Sequence, residues 1–143
     1  MTKIAFVSSE RPEAKNSLKI LKRMYTNVSP EKADIIVALG GDGTILKSLH
    51  SFLKSKKPIY GMNRGNVGFL MNQYSEKELH KRLSEAISYK LHPLKIKSFH
   101  EDGNVQNSLA FNDISMIRNS SKIAKIKIQI NNKIRIKEFL GDG

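Results

Sequence analysis

The chain has 143 residues, enough for one good core or two small layers sharing an interface, and its 39% hydrophobic and 27% charged residues are ordinary for a soluble globular protein. It has no cysteine, which excludes disulfides, thiolate metal sites and thiol nucleophiles, and no apolar run approaches the roughly 20 residues that span a bilayer. The net charge of +12, from 25 Lys+Arg against 13 Asp+Glu, suits a polyanionic partner, either nucleic acid or a phosphorylated small molecule.

Met1–Val7 lacks the longer apolar segment and cleavage site of a secretory signal and reads as a first strand, residues 3–7, so the expected setting is cytoplasmic, with no membrane. Residues 12–25 carry Leu18, Leu21 and Met24 at a spacing of three, with Ile20 beside them, which predicts a helix. Asp34–Leu39 is a continuous β-favouring apolar run, the pattern of a parallel strand buried on both faces. It leads straight into Gly40-Gly41-Asp42-Gly43-Thr44, after which Ile45, Leu46, Leu49, Phe52 and Leu53 fall at helical spacing. Pro58–Met62 is a third strand, ending in a second glycine-rich loop from Asn63 to Gly68. Ser75 and Glu78 form a capping box, with Ser75 as N-cap, for a helix that buries Leu79, Leu83, Ala86 and Ile87 and ends near residue 88.

From Leu91 the character changes to short alternating stretches and turns. Glu101–Asn104 is a hairpin turn, and 126–130 and 134–137 alternate cleanly on either side of Asn131-Asn132-Lys133. The expected fold class is therefore α/β: an open layer with parallel strands over residues 1–88, then the start of a β-rich antiparallel domain over 89–143, with its lysines on a wet face. A β layer begun at residue 91 has too few strands by Gly143 to bury both its faces, so more of it is expected beyond that residue.

Gly40–Thr44 carries the chemistry. In an open α/β sheet, ligands bind outside the C-terminal ends of the strands. Glycines let backbone approach a phosphate, and the following helix N-terminus offers free N–H groups to an anion. Thr44 is able to cap the helix or donate to a phosphate oxygen. A carboxylate repels phosphate, so Asp42 needs another role, either ordering a metal ion or accepting a proton from a hydroxyl nucleophile. The plain alternative is a glycine turn with Asp42 as helix cap. Against it, average residue frequencies give the five-residue string a chance probability on the order of 10⁻⁴. Arg64 in the second loop is placed to meet a phosphate or to be solvated. His50, His80, His92 and His100 show no metal-ligand spacing, so no residue is assigned as a metal ligand.

The five-residue string resembles the motif shared by NAD kinases, diacylglycerol and sphingosine kinases and, more distantly, 6-phosphofructokinases. Gly61–Leu70 resembles the Gly-x-Asn-x-Gly-x-x-Gly-Phe-Leu stretch of NAD kinases, and Asn112-Asp113 resembles their Asn-Glu/Asp motif. Gly141-Asp142-Gly143 resembles the start of a segment that in the family continues into Thr-Pro-x-Gly-Ser-Thr-Ala-Tyr. The resemblance implies a kinase that transfers the γ-phosphoryl of ATP to NAD, with Mg²⁺ offsetting charge between the phosphates. It implies that Asp42 accepts the proton of the adenosine-ribose 2′-hydroxyl and that Gly43 lies against the nucleotide. Asn112 and Asp113 would hold NAD, Phe69 would line the pocket, a role compatible with the plain reading of it as a core residue, and Asp142 would touch the dinucleotide. It also implies small-molecule nucleotide partners, no nucleic acid, a homo-oligomer (dimer or tetramer), and a protein roughly twice this length. Leu140 stands where many members carry a basic residue. The alternatives are a lipid kinase sharing the glycine motif, a dinucleotide-binding fragment without catalysis, and a basic nucleic-acid-binding module.

Overall fold

The computed structural model describes residues 2–66, 68–119 and 121–141, which fall into two compact units, Met1–Asn112 and Asp113–Gly143. The first unit opens with strand β1 (Ile4–Ser8), helix α1 (Pro12–Met24), strand β2 (Ile35–Gly40), helix α2 (Asp42–Phe52) and strand β3 (Ile59–Asn63). The three strands form a parallel sheet in the order β1-β2-β3, with Ile4 opposite Ile35 and Ile36 opposite Ile59. The apolar run therefore lies in the central strand, where both faces must be covered. On one face Ile4, Phe6, Val37, Leu39, Tyr60 and Met62 pack with Ala14 and Leu21 of α1. On the other, Ala5 and Ile36 pack with Phe52 of α2. Pro12 opens α1 at its first turn, where a missing N–H costs nothing.

The glycine at position 40 is set by close approach. A Cβ there would lie 2.1 Å from Thr44 Oγ1, 2.9 Å from Thr44 Cβ and 3.2 Å from Ser9 Cβ. Rotating Thr44 relieves the first contact but not the second, so Gly40→Ala is expected to displace the first turn of α2. A loss of about 1–3 kcal/mol follows for overpacking of this kind, read as a lower midpoint in urea unfolding.

Helix α3 (Leu79–Glu85) differs from its expected form in start and length. Ser75 does not cap it. The Ser75 hydroxyl accepts the Lys77 N–H at 3.2 Å, closing a local turn, and Glu78 becomes the N-cap in a left-handed conformation with φ 52°. The hydroxyl of Tyr25, just past α1, takes over instead. It donates to the Glu76 carbonyl at 2.7 Å and accepts the Leu79 N–H at 3.2 Å. The helix stops at Glu85, so Ala86 and Ile87 are exposed; only Leu79 of that predicted stripe is fully buried. Met24, at the end of the α1 stripe, is exposed as well.

Arg82 of α3 fixes the irregular segment before the helix. Its guanidinium donates to the carbonyls of Gln73 and Ser75 and lies 5.8 Å from the Tyr60 ring centroid. The first unit ends in an antiparallel hairpin of β4 (Leu94–Phe99) and β5 (Val105–Ala110), turned at Gly103 with φ 83°. In the second unit β6 (Ala124–Ile130) and β7 (Lys133–Gly141) form another, closed by Asn131 and Asn132 at φ 49° and 61°. Two consecutive left-handed residues suit a two-residue hairpin turn, and asparagine tolerates that region better than most residues. The α/β class, with parallel strands first and antiparallel pairs after, matches the sequence reading.

Candidate active site

The turns after β1, β2 and β3 meet at the C-terminal edge of the parallel sheet, around a cavity of about 360 Å³. Ser9 and Arg11 line it from the first turn, Gly41, Gly43 and Thr44 from the second, Gly65 and Asn66 from the third. The approach is close enough that a Cβ on Gly65 would lie 3.6 Å from the Gly41 Cα and 3.7 Å from Arg11 Nη1.

Helix α2 starts at Asp42 itself, with Gly41 as N-cap, and no side chain caps it. Neither Asp42 nor Thr44 thus serves as the helix cap; the Thr44 N–H donates to the Gly41 carbonyl at 2.8 Å. The N–H groups of Asp42 and Gly43 belong to the first turn and have no intrahelical acceptor, so they are available to an anion.

The Asp42 carboxylate turns to the second glycine loop. One oxygen accepts the Phe69 N–H at 2.9 Å and the other the Leu70 N–H at 2.9 Å. The two glycine loops are thus joined through one side chain. The far end of the second loop is held to β3: Asn72 N–H donates to the Gly61 carbonyl at 2.9 Å, and Asn63 N–H to the Asn72 carbonyl at 2.9 Å. Arg64 N–H donates to the Gly40 carbonyl at 2.7 Å, which ties the start of the loop to the end of β2. The Arg64 guanidinium lies 4.2 Å from the Tyr74 ring centroid, and burial pushes the Tyr74 phenol above its ordinary range. Arg64 is therefore packed, not freely solvated.

The structure brings Asp42, Gly43 and the backbone of Phe69 together. The Phe69 ring is 91% exposed, so it is no core residue. Asn112 follows Phe111, which is buried and meets the His50 ring edge-on at 5.1 Å. His50 is in the last turn of α2, roughly 12 Å along the helix from Asp42 at 1.5 Å per residue, so Asn112 follows a residue anchored at the opposite end of α2. Asn112 has φ 83° and is exposed. Asp113 opens the second unit, and Asp142 lies outside the described residues. The sequence reading did not single out Ser9, Arg11 or Asn72. For Ser9 and Arg11 a signal existed: they follow a parallel strand at the same sheet edge as the glycine motif.

A family model described as the ATP-NAD kinase N-terminal domain matches residues 2–90. The chain belongs to the NAD kinase family. A Caulobacter vibrioides protein named NAD kinase is 45% identical over 143 residues, which is all of this chain and 55% of that relative. Proteins of the same name from Rhizobium meliloti and Xylella fastidiosa are 41% and 43% identical over 98% and 99% of this chain. The chain spans about half the length of these relatives, 54% or 55% of each. The family's matched region contains both glycine loops and all three parallel strands, so the cavity at Gly41 is built wholly from it.

Proposed function

We propose that this chain carries the phosphate-handling part of a kinase that transfers the γ-phosphoryl of ATP to the adenosine-ribose 2′-hydroxyl of NAD, giving NADP. The observation that carries the reading is Asp42. It is the one carboxylate in a glycine loop that otherwise suits an anion, and its relatives bear the name NAD kinase. Both its oxygens are oriented by backbone N–H groups, yet a carboxylate has about four acceptor positions and two are left. One of them accepts the proton of the 2′-hydroxyl as that oxygen attacks the γ-phosphorus and ADP leaves. Gly43, exposed and without a Cβ, lets the nucleotide approach the first turn of α2. The exposed Phe69 ring offers a face for a base, and Asn112, Asp113 and Asp142 hydrogen-bond the dinucleotide.

Mg²⁺ enters as the counter-ion of ATP. No cluster of three or more His, Asp or Glu fit to hold an ion occurs among the described residues. The ion is assigned to the phosphates, where it offsets charge during phosphoryl transfer. Residues 1–88 are assigned to phosphate handling and 89–143 to NAD, in a homo-oligomer, dimer or tetramer, working in the cytoplasm. Among the described residues no helix is long and apolar enough to cross a membrane.

The protein expressed from its complete reading frame is expected to form NADP from NAD, ATP and Mg²⁺, measured with an NADP-specific dehydrogenase. Phosphate appearing on a diacylglycerol or a sugar, with no NADP, would overturn the reading.

A further inference from the structure

Two side chains in the cavity at Gly41 have no partner of their own. Ser9 Oγ is shielded from solvent and makes no hydrogen bond. The Arg11 guanidinium makes no hydrogen bond or ion pair among the described residues, although it reaches the wall formed by Gly65. A buried hydroxyl without a partner costs free energy unless something arrives to accept from it, and an exposed guanidinium is built to meet oxyanions with two donors at once.

The electrostatics of the cavity favour an anion. The N-termini of α1 and α2 both face it, through Arg11 and Gly41. No carboxylate lines this cavity, and two in the flanking turns have donors of their own. Asp42 is held by the Phe69 and Leu70 N–H groups, and Glu10 is paired with Lys15 at 2.6 Å. Glu13 lines a neighbouring cavity of about 250 Å³, which shares Arg11, Gly65 and Asn66 with this one and adds the Arg64 cation beside that carboxylate.

We propose that Arg11 and Ser9 bind the triphosphate chain of the phosphate donor. Arg11 grips phosphate oxygens from the side opposite the α2 N-terminus, and Ser9 Oγ donates to one of them. The reacting ribose of the acceptor is assigned to the side of Asp42 and Phe69, neither of which lines this cavity, with Gly43 between the two substrates. This rests on the kinase reading above.

The test compares the protein with its Arg11→Ala, Arg11→Lys and Ser9→Ala variants, measuring calorimetric affinities for ATP, NAD and inorganic tripolyphosphate together with KM for each substrate. Arg11 is exposed and unbonded, so the variants should fold, which a thermal melt confirms. Arg11→Ala is expected to weaken ATP and tripolyphosphate by roughly ten- to hundredfold, with NAD affinity unchanged. Arg11→Lys should recover part of this, as a point charge replaces a fork, and Ser9→Ala should cost roughly two- to tenfold. Unchanged affinity for ATP and tripolyphosphate in Arg11→Ala overturns the proposal. So does a selective loss of NAD affinity, which would give the cavity to the acceptor's pyrophosphate. So does a parent protein that binds neither ATP nor tripolyphosphate. Arg11-dependent tripolyphosphate binding in a protein that makes no NADP would leave the phosphate site standing and refute the kinase reading alone.

Discussion

Asp42→Asn is expected to lower the rate of NADP formation by roughly 10²–10⁴-fold, the usual worth of a positioned general base. The amide cannot take the hydroxyl proton. The substitution has a second effect that follows from the geometry. The carboxylate now accepts two N–H bonds, from Phe69 and Leu70, each at 2.9 Å. Asparagine keeps one acceptor and places an NH₂ group against the other N–H, donor against donor. The segment carrying Phe69 loses one of its two ties to α2, so KM for NAD should rise along with the fall in kcat. Steady-state kinetics separate the two effects. A raised KM at unchanged kcat would show that Asp42 only positions the loop. An unchanged KM with lowered kcat would show that the tie to residues 69 and 70 is dispensable for binding.

Leu39→Ala is expected to destabilise the first unit by about 2–5 kcal/mol, a large share of the roughly 5–15 kcal/mol that small domains possess. Leu39 is 0% exposed in the central strand, packed among Val37, Met62 and the α1 face. Truncation leaves a cavity in a sheet of only three strands, and the strand ends one residue later in the glycine loop. Urea unfolding followed by circular dichroism should show the midpoint falling sharply, or no cooperative transition at all. The comparison is Ile87→Ala, a residue 78% exposed, which should stay within about 0.5 kcal/mol of the parent. Equal effects at the two positions would mean that the core is not where the packing places it.

The parallel layer was legible because its signals are local. An apolar run of five residues, Ile35 to Leu39, preceded by Asp34 and followed by glycines and then helical spacing, reads as strand, turn and helix without further information. The hairpins were legible from Asp102-Gly103 and Asn131-Asn132 for the same reason. The start of α3 was not. Its cap comes from Tyr25, 54 residues earlier than the N–H it receives, and no window of sequence joins the two. The site divides along the same line. Gly41, Asp42 and Gly43 stand out as a string, whereas the bonds from Phe69 and Leu70 to Asp42 span 27 and 28 residues. Arg11 and Ser9 carry no motif at all. Their place in the cavity follows from the order of strands, so it could be inferred only once β1 was set beside β2.

The segment from Gln73 to Glu76 has consequences for how this protein can diverge. Its contacts to Arg82 and Tyr25 are made through main-chain carbonyls, those of Gln73, Ser75 and Glu76. Every residue type has that carbonyl. The identities of residues 73, 75 and 76 can therefore drift while the shape of the segment is inherited, because its instructions are written in two side chains elsewhere. The burden of constraint falls on Tyr25 and Arg82, whose own neighbours in the chain give no hint of it.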